Sequence, residues 1–167
     1  FSVFEGEIYD YDKNEWDIVS SAHMRRNYHG SSLLLTDGSI LVAGGDVWNA
    51  EIFYPPYLFT KNWENKTILA EKTEITDLSN NVKRGKSTIF SVSGEDVSRI
   101  TLISTGSTTH AQGSESKFRE LDFIKMPNNK VEINITPNPN ELQNGTYMLF
   151  VINSKGVPST GKIVYLD

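Results

Sequence analysis

Two places in this 167-residue chain carry side chains able to do metal or proton chemistry. The first is Tyr28-His29, a phenol beside an imidazole, just ahead of the apolar run Leu33-Leu34-Leu35, an Asp37-Gly38 turn and a return run over residues 40–43. Two apolar runs around Asp-Gly are a strong hairpin signal. A phenol and an imidazole at the head of a buried strand have their directions fixed by the sheet, which is how a rigid scaffold presents metal ligands at its rim. The second place is His110, the only histidine outside the first third of the chain, in the small polar stretch of residues 104–114 between two strand patterns. A long hairpin of such residues can carry a side chain well beyond its own sheet. Each place also has a plainer reading, with Tyr28 packing and His29 capping a turn, and with His110 in a solvent-exposed loop.

Other catalytic constellations do not form. Without cysteine there is no disulfide framework, thiolate nucleophile or thiolate metal site. Asp10 and Asp12 flank a turn and Glu5 and Glu7 lie along a strand edge, so no carboxylate pair for glycoside hydrolysis is discernible. The serines lack triad partners, and no glycine-rich loop precedes a helix. Net charge is −5 with Lys and Arg scattered, which leaves no basic footprint for nucleic acid. No apolar run approaches the ~20 residues that cross a bilayer, so a soluble chain without a membrane partner is expected. The start, Phe1-Ser2-Val3-Phe4, has neither an initiating Met nor a signal sequence and reads as internal. Asn-x-Ser/Thr sequons at Asn65, Asn134 and Asn144 suit a secreted, extracellular protein.

The elements that must position these residues are strands. Residues 7–12 and 16–18 flank a Lys13-Asn14-Glu15 turn, and residues 50–54 form a short strand stopped by Pro55-Pro56, since proline cannot donate to a ladder. The polar stretch after Tyr57-Leu58-Phe59 marks a boundary, giving segments 1–62 and 63–167. Beyond it, strand patterns recur at 67–69, 87–92, 98–103, 119–124, 130–135, 145–152 and 161–166 with no helical period. Seven short strands at this spacing predict an immunoglobulin-like β-sandwich. Residues 145–153 have the apolar density of a central strand.

Arg26, Tyr28, His29, Asp37-Gly38 and the Gly44-Gly45 doublet together resemble the last propeller repeat of the galactose oxidase and glyoxal oxidase family. The tyrosine, polar turn and Trp16 ahead of Met24-Arg25 resemble the second half of a kelch-type repeat. Glu51-Ile52, Pro55-Pro56 and Tyr57-Leu58-Phe59 resemble that family's join between propeller and C-terminal sandwich. Gly106, Ser107, Thr109 and His110 resemble its ligand-bearing hairpin, and Tyr147, Leu149-Phe150 and Gly156-Val157-Pro158-Ser159 its closing segment. The resemblance covers nearly the whole chain. It implies an all-β chain: residues 1–62 as the last part of a kelch-type β-propeller, then residues 63–167 as the immunoglobulin-like sandwich. Little more than one blade leaves broad apolar sheet faces, so partners are expected, either a missing N-terminal propeller portion or neighbouring copies.

The resemblance also implies a copper radical oxidase, oxidising a primary alcohol, sugar or small aldehyde with dioxygen to give hydrogen peroxide. In that family His29 and His110 would be equatorial copper ligands, and Tyr28 the axial phenolate that takes the alcohol proton. Imidazoles and phenol oxygens suit Cu(II) better than magnesium or calcium. The family's radical sits on a second tyrosine joined to a cysteine, and both lie upstream of the region covered here. With no cysteine, this chain alone is expected to lack the Tyr-Cys cofactor and to be inactive as an oxidase. The alternative is a non-catalytic propeller-plus-sandwich module for adhesion or carbohydrate binding. Among the remaining candidates, Trp16 is expected in the core, Trp48 at a rim without a substrate contact, His23 on the surface, and Arg25 and Arg26 paired with blade carboxylates.

Overall fold

A computed structural model describes residues 3–109, 112–113 and 116–167, and these form strands apart from one 3-10 turn at Pro56–Leu58. Strands β1 (Glu5–Asp10) and β2 (Glu15–Ser21) pair as an antiparallel hairpin. Its turn is fixed by Asp10, whose carboxylate accepts the N–H groups of Asp12 and Lys13 at 3.0 and 3.1 Å, an Asx-type turn. Strands β3 (Gly30–Leu34), β4 (Ile40–Gly44) and β5 (Ala50–Phe53) form a three-stranded antiparallel sheet in that order. The expected hairpin at Asp37-Gly38 is therefore present, and β3 starts earlier than its apolar run because Gly30, Ser31 and Ser32 pair with Gly44, Ala43 and Val42. Next come β6 (Phe59–Lys61) and β7 (Thr67–Leu69), which pair with each other across residues 62–66 and join neither larger sheet.

The rest of the chain supplies β8 (Glu74–Thr76), β9 (Asn81–Val82), β10 (Ser87–Ser93), β11 (Val97–Ser104), β12 (Thr108–Thr109) and β13 (Gln112–Gly113). It continues with β14 (Phe118–Leu121), β15 (Phe123–Met126), β16 (Lys130–Asn134), β17 (Gly145–Asn153) and β18 (Lys162–Leu166). A four-stranded sheet in the order β15-β16-β10-β8 and a five-stranded sheet in the order β14-β11-β17-β18-β9 make up the immunoglobulin-like sandwich. The stretch 119–124, read as one strand, is two. Its chain changes sheets at Asp122, so that β14 pairs with β11 and β15 with β16, the corner device of packed sheets.

Inward residues alternate along the strands, as two sheets closing on one core require. Ile100, Leu102, Ile133, Leu149, Val151 and Leu166 are almost wholly buried in a single cluster. Removing a side chain such as Leu149 from such a core typically costs about 2–5 kcal/mol. Strand β17 is the middle strand of its sheet and is buried on both faces. Tyr147, Leu149 and Val151 point into the cluster, whereas Phe150 and Ile152 share a groove of about 200 Å³ with Leu34, Gly38 and Tyr57 from the first third of the chain. A near-continuous apolar run is the signature of a doubly covered strand.

Trp16 departs from expectation. It is 66% exposed and lies against Tyr9, ring centroids 5.1 Å apart. Strand β2 belongs to a two-stranded sheet whose Trp16 side has no second layer among the described residues, so no core forms around the indole.

Candidate metal centre

The Tyr28-His29 pair sits at the corner of a tight turn at the head of β3. The amide of Gly30 donates to the carbonyl oxygen of Asn27 at 3.0 Å, which makes Tyr28 and His29 the two central residues. His29 has φ +66°, the left-handed region that glycine and asparagine favour. Holding a residue with a Cβ there costs on the order of 1–3 kcal/mol and persists only where the surroundings enforce it. The two rings lie 4.0 Å apart between centroids at 32°, and both side chains are exposed.

The enforcing surroundings are the end of β4 and the start of β5. Gly44 and Gly45 have φ +76° and +73°. The amide of Gly45 donates to the carbonyl oxygen of His29 at 3.2 Å, and the amide of Asn27 donates to that of Gly45 at 3.5 Å. A Cβ on Gly45 would stand 2.7 Å from the Asn27 nitrogen, and one on Gly44 would run into the His29 carbonyl oxygen. The doublet is glycine because two backbones meet there.

Arg26 locks the same segment from beneath. Its guanidinium donates to the carbonyl oxygens of Gly44 at 3.0 Å and Asn49 at 3.2 Å, to Asn49 Oδ1 at 2.9 Å and to Glu51 Oε2 at 3.2 Å. Its side chain is only 8% exposed. Glu51 also accepts the His23 amide at 2.7 Å, and that bond leads the effects holding its carboxyl below the usual carboxylate range. The expected pairing of Arg26 with a carboxylate is thus present, while Arg25 Nε reaches Asn27 Oδ1 at 3.1 Å instead. His23 is at the surface as expected, yet its Nδ1 lies 3.3 Å from Glu51. Glu51 and Asn49 were not legible as positioning residues, although an acid inside the otherwise apolar Ala50-Glu51-Ile52-Phe53 strand was the available signal. Trp48 is fully exposed in the loop that follows the doublet.

The second predicted element approaches this one. Strands β12 and β13 pair through Thr108 with Gly113 and Thr109 with Gln112, and both lie alongside β3. The base of the hairpin is fixed by Ser104, whose amide donates to the Lys117 carbonyl oxygen at 2.9 Å and whose Oγ accepts the Lys117 amide at 2.7 Å. Thr105 adds a bond to the Thr146 carbonyl oxygen at 3.1 Å. A gap of about 40 Å³ separates β3 from this base, lined by Ser32, Leu34, Ile103, Ser104 and Met148. His110 lies outside the described residues.

Among the described residues no three His, Cys, Asp or Glu side chains converge as a metal set. The nitrogen and phenol-oxygen donors at the head of β3 fit a borderline metal such as Cu(II) and not a carboxylate-seeking Mg²⁺ or Ca²⁺.

Similar proteins share stretches of the sequence and the fold. Two galactose oxidase sequences from Gibberella zeae are 28% identical over 170 aligned residues, covering 97% of this chain but 24% of their own length. This chain therefore spans about a quarter of those relatives. A fungal alcohol oxidase described as showing catalytic diversity within the AA5 family, solved in complex with copper, superposes with a TM-score of 0.84. It is 22% identical, with 98% of this chain and 36% of that one covered, a likeness of fold. The model of the galactose oxidase-like Early set domain matches residues 72–166. That span takes in every sandwich strand from β8 to β18 and more than half of the chain, so this chain belongs to the galactose oxidase-like Early set domain family.

Proposed function

We propose that this chain is the C-terminal part of a copper radical oxidase, a partial kelch-type propeller followed by the sandwich, and that it contributes Tyr28, His29 and His110 to the copper site. The observation that carries this reading is the meeting of two elements distant in sequence. The hairpin flanking His110 runs beside β3, the strand whose head presents Tyr28 and His29. The galactose oxidase relatives and the copper-bound alcohol oxidase fold support it. A copper held there would supply a one-electron acceptor for alcohol oxidation. The overall reaction removes two electrons and two protons from a primary alcohol or sugar and passes them to dioxygen, giving an aldehyde and hydrogen peroxide. Within it Tyr28 would take the hydroxyl proton, and the left-handed turn keeps the His29 imidazole beside it.

This polypeptide has no cysteine for the thioether-linked radical tyrosine, so by itself it is inactive as an oxidase and needs the upstream propeller portion. The exposed Tyr9, Trp16 and Ile18 support such a partner. So does the apolar groove of about 780 Å³ between β1–β2 and β3–β5, lined by Ile8, Val19, Ile40, Val42 and Phe53. Secretion is part of the same proposal, with the exposed Asn65 at the tip of the β6–β7 hairpin as the glycan acceptor.

Copper titration followed by electron paramagnetic resonance tests the metal site. One Cu(II) per chain with nitrogen hyperfine structure is expected, reduced in His29→Ala and in His110→Ala. Uptake that is unchanged in both variants sinks the assignment and leaves a non-catalytic binding module. Peroxide release from primary alcohols is expected only once the upstream portion is restored.

A further inference from the structure

The hairpin that carries Tyr28 and His29 at one end is bolted down at the other. Its turn presents three consecutive main-chain oxygens, and each accepts a hydrogen bond from a different part of the chain. Thr36 accepts the Gly161 amide at 2.7 Å, Asp37 accepts Lys72 Nζ at 2.6 Å, and Gly38 accepts the Tyr57 hydroxyl at 2.7 Å. The three donors come from the 3-10 turn, the approach to β8 and the approach to β18. Gly38 has φ +82°, and a Cβ there would meet Leu58 and Pro158 at 3.3 Å, so the turn is also closely packed. Asp37 keeps its shape by accepting both the amide and the hydroxyl of Ser39, a residue with no exposed surface. Gly161 is itself confined, since a Cβ on it would stand 2.7 Å from the Phe150 ring.

We propose that Tyr57, Lys72 and the Gly161 amide form a positioning latch, through which the sandwich sets the place of the Tyr28-His29 turn relative to the β12–β13 hairpin. The hairpin leaves the sandwich by β11 and returns by β14, so its location is fixed by the five-stranded sheet. Among the described residues, the turn at the head of β3 has no such strand pairing with the sandwich. One tie to that sheet is β3 itself, a lever held at the far end by the latch, where its last residue Leu34 shares a groove with Phe150 and Ile152. Both halves of the site are thereby referred to one sheet. As a metal-positioning device the latch rests on the reading of Tyr28, His29 and His110 as ligands, whereas its effect on the relative placement of the two elements does not.

The test exploits the absence of cysteine. Nitroxides at Asn27→Cys and Ser107→Cys report the approach of the two elements through dipolar broadening without any metal. Tyr57→Phe removes only a hydroxyl, Lys72→Met removes only a charge and donor, and Lys72→Arg retains a donor. The expected result is strong broadening in the parent chain, weakened in the Tyr57→Phe/Lys72→Met double variant and recovered when Lys72→Arg replaces Lys72→Met. Copper affinity is expected to fall about tenfold to a hundredfold in the double variant with a changed Cu(II) spectrum, as when the support of a ligand is removed. Broadening unchanged in a folded double variant overturns the latch. Broadening that weakens in a chain that never bound copper upholds the latch and overturns the copper reading instead. Should the double variant fail to fold, Tyr57→Phe alone carries the same comparison.

Discussion

The amide of Gly45 donates to the carbonyl oxygen of His29 at 3.2 Å, so the second glycine of the doublet holds the candidate ligand by its backbone. Gly45→Ala must accept φ +73° and a Cβ 2.7 Å from the Asn27 nitrogen and 2.9 Å from Arg26 Cβ. Gly156→Ala is the matched control, with φ +79° and nothing within 4 Å. The control bears only left-handed strain, about 1–2 kcal/mol. Gly45→Ala is expected to lose distinctly more in chemical denaturation and to weaken copper uptake, which the control leaves intact. Equal losses would show that the close approach at the doublet is not what demands glycine.

His29 offers the converse case, a side chain kept where its backbone favours glycine. His29→Gly and His29→Ala should both abolish nitrogen coordination from this position. They should differ in stability, with the glycine variant the firmer of the two by about 1 kcal/mol, because only alanine retains the left-handed penalty. Thermal and denaturant midpoints measured on both variants check this. Equal midpoints would remove strain at φ +66° from the account of the site.

The sequence made the sandwich legible where strands are long. Residues 145–153 announced β17, and its double burial explains why that stretch is apolar without alternation. Strands β8 and β9 escaped notice because two or three residues hold no period, leaving Ile75 and Val82 as their only buried members. The corner at Asp122 was hidden for a different reason. Leu121 and Phe123 keep the alternation of one strand while belonging to two sheets, and a period of two cannot record which sheet a residue joins. At the site, Tyr28, His29 and the Gly44-Gly45 doublet stood out as local patterns. The convergence of Tyr57, Lys72 and Gly161 on one turn left no mark, since their spacing in the chain follows from topology alone.

Glu51 should give the chain an acid-sensitive clamp. The His23 amide and Arg26 hold its carboxyl below the usual range, so its contribution is complete above the unfolded carboxylate value, about 4.3, and is lost as pH falls through the lowered folded value. Glu51→Gln removes that titration but leaves Asp37, whose carboxyl is also lowered, chiefly by the Ser39 hydroxyl, so that residue cancels in the comparison. The parent is expected to exceed Glu51→Gln in stability near neutral pH, and the gap should narrow as pH drops below about 4. A gap independent of pH, measured by denaturation at a series of pH values, would mean that the ionised clamp contributes nothing.

Leu149 and Phe150 are sequence neighbours that face opposite ways, which separates the sandwich core from its contact with the end of β3 and the β3–β4 turn. Leu149 has no exposed surface within the core cluster, and Phe150, 3% exposed, lies over the groove shared with Leu34, Gly38 and Tyr57 and confines Gly161. Truncating either to alanine should cost similar amounts, about 2–5 kcal/mol. Hydrogen exchange should tell them apart. Leu149→Ala lowers protection throughout the sandwich by the loss in global stability. Phe150→Ala is expected in addition to speed exchange selectively at the Gly161 and Leu35 amides, whose bonds to Thr36 and Ser39 secure the β3–β4 turn. That selectivity follows from local opening being governed by nearby contacts rather than by the whole fold. If both variants exchange uniformly, the turn does not depend on the outer face of β17.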